Sequence, residues 1–135
     1  MVIPKQLMNK EFRFVLLGKW NEWGRYERVN GKTKLVEKKL FNNKYKSLSE
    51  GKIWKPLGKA PFETAWQKNG YKYNDKKLLE HIKKGLNFGV IGGYGKLVIL
   101  DIDNLKLAEE MEKKLNTFTI KTGSGGRHFY FIVED

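Results

Sequence analysis

The sequence predicts an α+β fold, and three observations carry that prediction. Leu97–Leu100 is a continuous apolar run, the pattern of a strand buried on both faces, and it ends abruptly in Asp101-Ile102-Asp103. Phe118–Lys121 and His128–Val133 are β-like runs on either side of a glycine-rich stretch, Thr122 to Gly126, which predicts a hairpin. Two helix-patterned stretches, 76–84 and 105–115, are interspersed without the regular strand–helix alternation of a parallel sheet. The expected architecture is therefore a mixed or antiparallel sheet with helices packed on it.

Taken in order, Phe12–Leu17 (Phe-Arg-Phe-Val-Leu-Leu) reads as the first strand. Residues 18–58 mix Trp20, Trp23, Tyr26, Phe41, Tyr45 and Trp54 with many lysines, and Asn30-Gly31 and Asn42-Asn43 are turn signals. One or two hairpins are expected, the first pairing Trp23–Val29 with Thr33–Lys38 across Asn30-Gly31. The aromatics serve either as core or, interleaved with cations, as a stacking surface for bases. Lys59–Trp66, with Pro61, reads as an ordered loop. Asn74 or Asp75 caps a helix over Lys76–Lys84 that Gly85 ends, with Leu78, Leu79 and Ile82 as its buried stripe. His81 falls opposite Leu79 and is expected in solvent.

Phe88–Ile91 is a strand, and Gly92-Gly-Tyr-Gly95 predicts a hairpin turn into Lys96–Ile102. Gly93-Tyr-Gly95 has a superficial likeness to a dinucleotide fingerprint, but a strand rather than a helix follows, which excludes a Rossmann site. Asp103 or Asn104 caps the next helix, Leu105–Leu115, with Leu107, Ala108, Met111 and Leu115 as candidate buried positions.

Bulk properties narrow the function. With 135 residues, 40% hydrophobic and 13% aromatic, the chain supports one domain with a modest core. No apolar run approaches the roughly 20 residues that span a bilayer, and residues 1–10 lack the apolar segment of a secretory signal. The absence of cysteine excludes a disulfide scaffold, Cys-ligated zinc and a thiol nucleophile, and points to a cytoplasmic setting. The net charge of +12 attracts polyanions. Only four of the cations are arginines, Arg13, Arg25, Arg28 and Arg127, and lysine favours diffuse phosphate contact over bidentate base reading.

Chemistry concentrates at two places. Side chains alternate along a strand, so Asp101 and Asp103 point the same way, with Cα atoms roughly 6–7 Å apart. Such a pair can converge on Mg²⁺ or Mn²⁺, which take oxygen ligands, and two-metal sites hold their ions about 3.5–4 Å apart. An aspartate before a helix is often only a cap, but capping does not explain two facing one way. In the second stretch, Gly123, Gly125 and Gly126 allow a backbone that turns N–H groups toward an anion. Ser124 adds a hydroxyl, Arg127 a planar cationic fork and His128 a further donor. If the two strands are antiparallel neighbours, Asp101 and His128 share one sheet edge. Together these are parts for holding a nucleoside triphosphate.

Asp101-Ile102-Asp103 resembles the paired-acid motif of the archaeo-eukaryotic primase superfamily, and Ser124-Gly125-Gly126-Arg127-His128 resembles its Ser/His motif. Gly85-Leu-Asn87-Phe-Gly89-Val-Ile-Gly92 and Lys59-Ala-Pro61-Phe-Glu-Thr-Ala-Trp66 are similar to the bifunctional primase–polymerase branch, typical of plasmids, viruses and prophages. The resemblance covers Lys59 to Val133, so that 59–135 is the motif-bearing core and 1–58 a variable N-terminal segment of one domain, 1–135. It implies an RRM-like catalytic core and a DNA primase/polymerase that makes primers or extends DNA by a two-metal mechanism. Asp101 and Asp103 would hold Mg²⁺ or Mn²⁺; Ser124, Gly125, Gly126, Arg127 and His128 would bind the dNTP or NTP; and Asp101, Asp103 and His128 would form the catalytic set. Its partners would be a DNA template, single-stranded or primed, and a replicative helicase in the same or another chain.

One departure stands out. The family pattern needs a third acid on a later strand, and Glu134, six residues after His128, would lie about 20 Å away at the wrong edge. The expectation is an N-terminal piece of a longer domain, incomplete at its C-terminus, or a degenerate copy. Two alternatives follow. One is a non-catalytic module binding single-stranded nucleic acid. The other is a haloacid dehalogenase-like phosphatase, which also uses strand-Asp-x-Asp but places it on the first strand and leaves Ser124–His128 unexplained. Glycosyltransferase Asp-x-Asp sites leave the same residues unexplained.

Overall fold

A computed structural model describes residues 2–40, 54–122 and 125–134. Among these residues, eight strands and two α-helices follow one another: β1 Arg13–Leu16, β2 Glu22–Val29, β3 Lys32–Leu40, β4 Trp54–Pro56, α1 Lys76–Lys83, β5 Phe88–Ile91, β6 Leu97–Ile102, α2 Leu105–Lys114, β7 Thr119–Lys121 and β8 Arg127–Ile132. The α+β class holds, and the described strand pairs are all antiparallel. They form three groups, β1-β5, β3-β2-β4 and β6-β8-β7, rather than one continuous sheet.

The core lies between β1, α1 and one face of β6-β8. Ile3, Leu7, Phe12, Phe14 and Leu16 from the N-terminal stretch meet Leu78 and Ile82 of α1, Leu97 of β6 and Tyr130 of β8. Phe14, Leu78 and Phe129 are wholly enclosed. Residues from both sides of Lys59 therefore build one core.

Several local expectations match what is seen. The β2–β3 hairpin turns at Asn30 (φ 51) and Gly31 (φ 76), the two positive angles of a type I′ turn. α1 ends as the chain reaches Gly85 at φ 79. The Asn104 side chain caps α2 by accepting from the Leu107 N–H at 3.0 Å.

Four expectations change. The chain does not form a hairpin from Phe88–Ile91 into Lys96–Ile102: β5 pairs with β1, β6 with β8, and positive φ at Gly93, Gly95 and Lys96 redirects the backbone between them. The apolar run of β6 is not buried on both faces, because Val98 and Leu100 are exposed while Leu97 and Ile99 face the core. In α1 the buried stripe is Leu78, His81 and Ile82, with Leu79 exposed. His81 is buried because its Nε2 lies 2.7 Å from the Leu17 carbonyl and 2.9 Å from that of Asn87, two acceptors a protonated Nε2 satisfies together. In α2 only Ala108 is fully buried, and Leu107 is exposed. The expected second turn at Asn42-Asn43, with Phe41 and Tyr45, lies outside the described residues.

Candidate active site

The site begins with strand register. β6 and β8 run antiparallel with Asp101 directly opposite His128 and Ile102 opposite Arg127. Directly opposed side chains share a face, so Asp101 and His128 project together, on the side of Leu97 and Ile99. The core ends before it reaches them: the Asp101 and His128 side chains are 53% and 36% exposed, and their Oδ1 and Nε2 atoms are 3.3 Å apart. When the imidazole is protonated this contact is an ion pair. On its other side, His128 faces Ile120 of β7.

Asp103 follows the last residue of β6, exposed, with Asn104 and the start of α2 immediately behind it. The glycine loop meets this corner. A Cβ on Gly126 would stand 2.6 Å from the Ile102 carbonyl oxygen and 3.2 Å from the Asp103 Cα, so only glycine lets the two motifs approach so closely. Gly125 has φ 95, and its missing Cβ would meet Leu105 Cδ2 at 2.9 Å. The Thr122 N–H donates to the Gly126 carbonyl at 2.9 Å and the Gly125 N–H to the Thr122 carbonyl at 3.0 Å, closing the loop between β7 and β8. Ser124 lies outside the described residues.

Of the predicted site residues, Asp101, Asp103, Gly125, Gly126 and His128 therefore converge. Arg127 does not join their face. Because β8 already begins at Arg127, strict alternation turns its side chain to the opposite side of the sheet, under α2. There its Nε donates to Glu112 Oε2 at 2.7 Å, and its guanidinium also donates to the Gly125 and Gly126 carbonyls. The arginine is only 9% exposed and holds the loop from behind.

Glu112 is the residue that motif reading missed. It follows the buried Ala108 by one helical turn, so a carboxylate on the side of α2 next to that position was the available signal.

Asp101 and Asp103 are solvent-accessible hard-oxygen donors of the kind Mg²⁺ and Mn²⁺ accept. Among the described residues no three His, Cys, Asp or Glu side chains gather around one ion position. Glu134 is remote: β8 pairs Ile132 with Leu97, the end of β6 opposite Asp101, and the Val133 N–H bonds the Lys96 carbonyl.

An acidic strand end thus stands beside an imidazole and a close-packed glycine loop, on an α+β scaffold of charge +12. The family description "bifunctional DNA primase/polymerase, N-terminal" matches residues 9–134, nearly the whole chain, and the protein belongs to that family. It is a DNA primase/polymerase domain, of a family whose substrates are DNA and nucleotides and which is generally metal-dependent. Neither the curated proteins nor the solved structures contain a match to it. No helix among the described residues is long and apolar enough to cross a membrane.

Proposed function

We propose that this domain transfers a nucleotide from a dNTP or NTP to a 3′-hydroxyl on a DNA template, the reaction of a primase or polymerase. The observation that carries the reading is the direct opposition of Asp101 and His128 across β6 and β8, with Gly126 pressed against Asp103. Asp101 and Asp103 hold Mg²⁺ or Mn²⁺; a bound ion of this kind polarises phosphoryl oxygens and lowers the pKa of a coordinated hydroxyl. His128 donates to the triphosphate and offsets charge that grows on the departing pyrophosphate. The backbone N–H of Gly126, the Gly125 N–H being already given to the Thr122 carbonyl, receives the β- and γ-phosphates together with the Ser124 hydroxyl on the sequence pattern. Arg127 acts through the loop: with its Nε given to Glu112 and its Nη1 to two loop carbonyls, it keeps those carbonyls turned inward.

The domain takes the two aspartates as its own contribution to metal binding, and a third acid of the family pattern comes from outside the described residues. A helicase, in the same or another chain, opens the template.

Two measurements test the proposal. Calorimetric titration of Mn²⁺-dNTP into wild type and Asp101→Asn should show binding lost, by about tenfold or more, in the variant. Metal-dependent extension of a primed template should fall by at least the two to three orders of magnitude that loss of a transition-state electrostatic group costs. Equal nucleotide binding and equal extension in both proteins would leave a non-catalytic single-strand binder, whose affinity depends on salt and not on Asp101.

A further inference from the structure

The β2–β3 hairpin divides into an anchored base and a free arm. At the base, β2 pairs with β4 through residues 23–25, and Gly24 is buried so tightly that a Cβ would lie 2.4 Å from Leu35 Cδ1 and 2.8 Å from Leu57 Cδ2. A β-bulge follows, where Arg25 pairs with Glu37 but Tyr26 pairs with Leu35 and Val36 is the extra residue. Bulges bend and twist a ribbon away from its sheet. Beyond it, all ten residues from Glu27 to Val36 are exposed, so both faces of the ribbon stand in solvent.

A two-stranded ribbon with little cover is marginally stable in water, and among the described residues this arm reaches back to its base at Leu35, over Gly24. Its charge is also divided. Around the bulge, Arg25 is neutralised by Glu27 and Glu37. From Arg28 to Val36 there are three cations and no carboxylate, and Arg28, Lys32 and Lys34 make no ion pair among the described residues. Register sets Lys32 and Lys34 on the face of Val29 and Glu27, and Arg28 with Thr33 on the other.

We propose that this arm docks into a groove of double-stranded nucleic acid, the primer–template or product duplex, as a backbone clamp. A β-ribbon fits the width of the major groove, and cations on both of its faces meet the phosphates of both walls. The tip carries no aromatic side chain, so it grips the backbone and does not stack on unpaired bases. The inference rests on the polymerase reading for the identity of the duplex, but its test uses neither metal nor nucleotide.

The test compares the full chain with Arg28→Ala/Lys32→Ala/Lys34→Ala by fluorescence anisotropy, on a duplex and on a single strand of equal length, across a salt series. A control, Lys76→Ala/Lys83→Ala/Lys84→Ala, removes the same net charge from α1 and its C-cap. The arm variant should bind duplex roughly 10- to 100-fold more weakly at low salt, and the slope of log affinity against log salt should become shallower by about 2–3. Single-strand binding and the control should change much less. An unchanged duplex slope overturns the proposal, and so does an equal loss on single strands or in the control. Circular dichroism verifies folding, and Lys32→Glu/Lys34→Glu, predicted to lose more than the alanine variant, supplies a second readout. Should wild type bind duplex in this way yet fail to bind Mn²⁺-dNTP, the polymerase reading falls and the arm stands.

Discussion

Gly126 joins two motifs that lie more than twenty positions apart in the chain. Its hydrogen side faces the Ile102 carbonyl oxygen, at a distance no Cβ tolerates because the obstacle is backbone, and the Asp103 Cα, where a Cβ would be tight. Gly126→Ala should therefore push the loop off the acidic corner. The expected cost is about 1–3 kcal/mol of stability, as for overpacking in a filled interior, with a further loss of nucleotide affinity. A thermal melt and a dNTP titration check both. Unchanged values in each would mean that the loop and β6 do not touch. Gly125, at φ 95, is constrained for a different reason, since a side chain there is strained by its own backbone and meets Leu105. The glycine spacing was legible in the sequence as a loop that turns amides outward, but what each glycine makes room for was not.

Arg127 shows how an element overrides a motif. By residue type it is a phosphate fork, yet the start of β8 sets its parity, and parity turns it beneath α2 to Glu112. The two elements are thereby latched: Glu112 on the helix, Arg127 on the strand, and the loop carbonyls between them. Glu112→Gln keeps the shape and removes the charge, and should cost about 1–2 kcal/mol, the lower part of the range for hydrogen bonds to charged groups because Glu112 is half exposed. Its KM for dNTP should rise more than its kcat falls, since the loop rather than the chemistry is loosened. A change in kcat alone would count against the latch. His81 gives the same lesson in α1. Helical periodicity assigned it to solvent, but two backbone carbonyls at Leu17 and Asn87, contributed by other segments, needed a buried donor.

The whole molecule balances a shared core against a strongly basic surface. Tyr130 belongs to that core, next to Phe118, with ring centroids 5.2 Å apart. Burial holds its phenol above the ordinary value of 10.0, because the phenolate would lose its hydration. The folded state therefore keeps its proton to higher pH than the unfolded state does. Its contribution to stability is complete below the ordinary tyrosine value and is lost as pH rises through the raised one. Denaturant midpoints should fall above about pH 10, and Tyr130→Phe should flatten that decline relative to wild type. An identical alkaline decline in Tyr130→Phe would assign it to other groups. Glu37, partly exposed, acts in the opposite direction: Arg25 holds its carboxyl below the usual range, a contribution present at neutral pH and lost on acidification.

Chemistry written in short spans was readable from the chain. The alternation of Asp101 and Asp103, the Asn30-Gly31 turn, the Asn104 cap and the glycine loop are each determined by neighbours within a few positions, where steric and hydrogen-bond preferences are local. Pairings between distant segments were decided by the fold. That β5 joins β1 and not β6, that His81 is enclosed, that Arg127 meets Glu112 and that the residues from Glu27 to Val36 are exposed all depend on which surfaces meet. Burial is a property of pairs of segments, and no window along one segment contains its partner. The opposition of Asp101 and His128 stands between these cases. Its residues and the parity of each strand were local, but the register that set them 3.3 Å apart is tertiary.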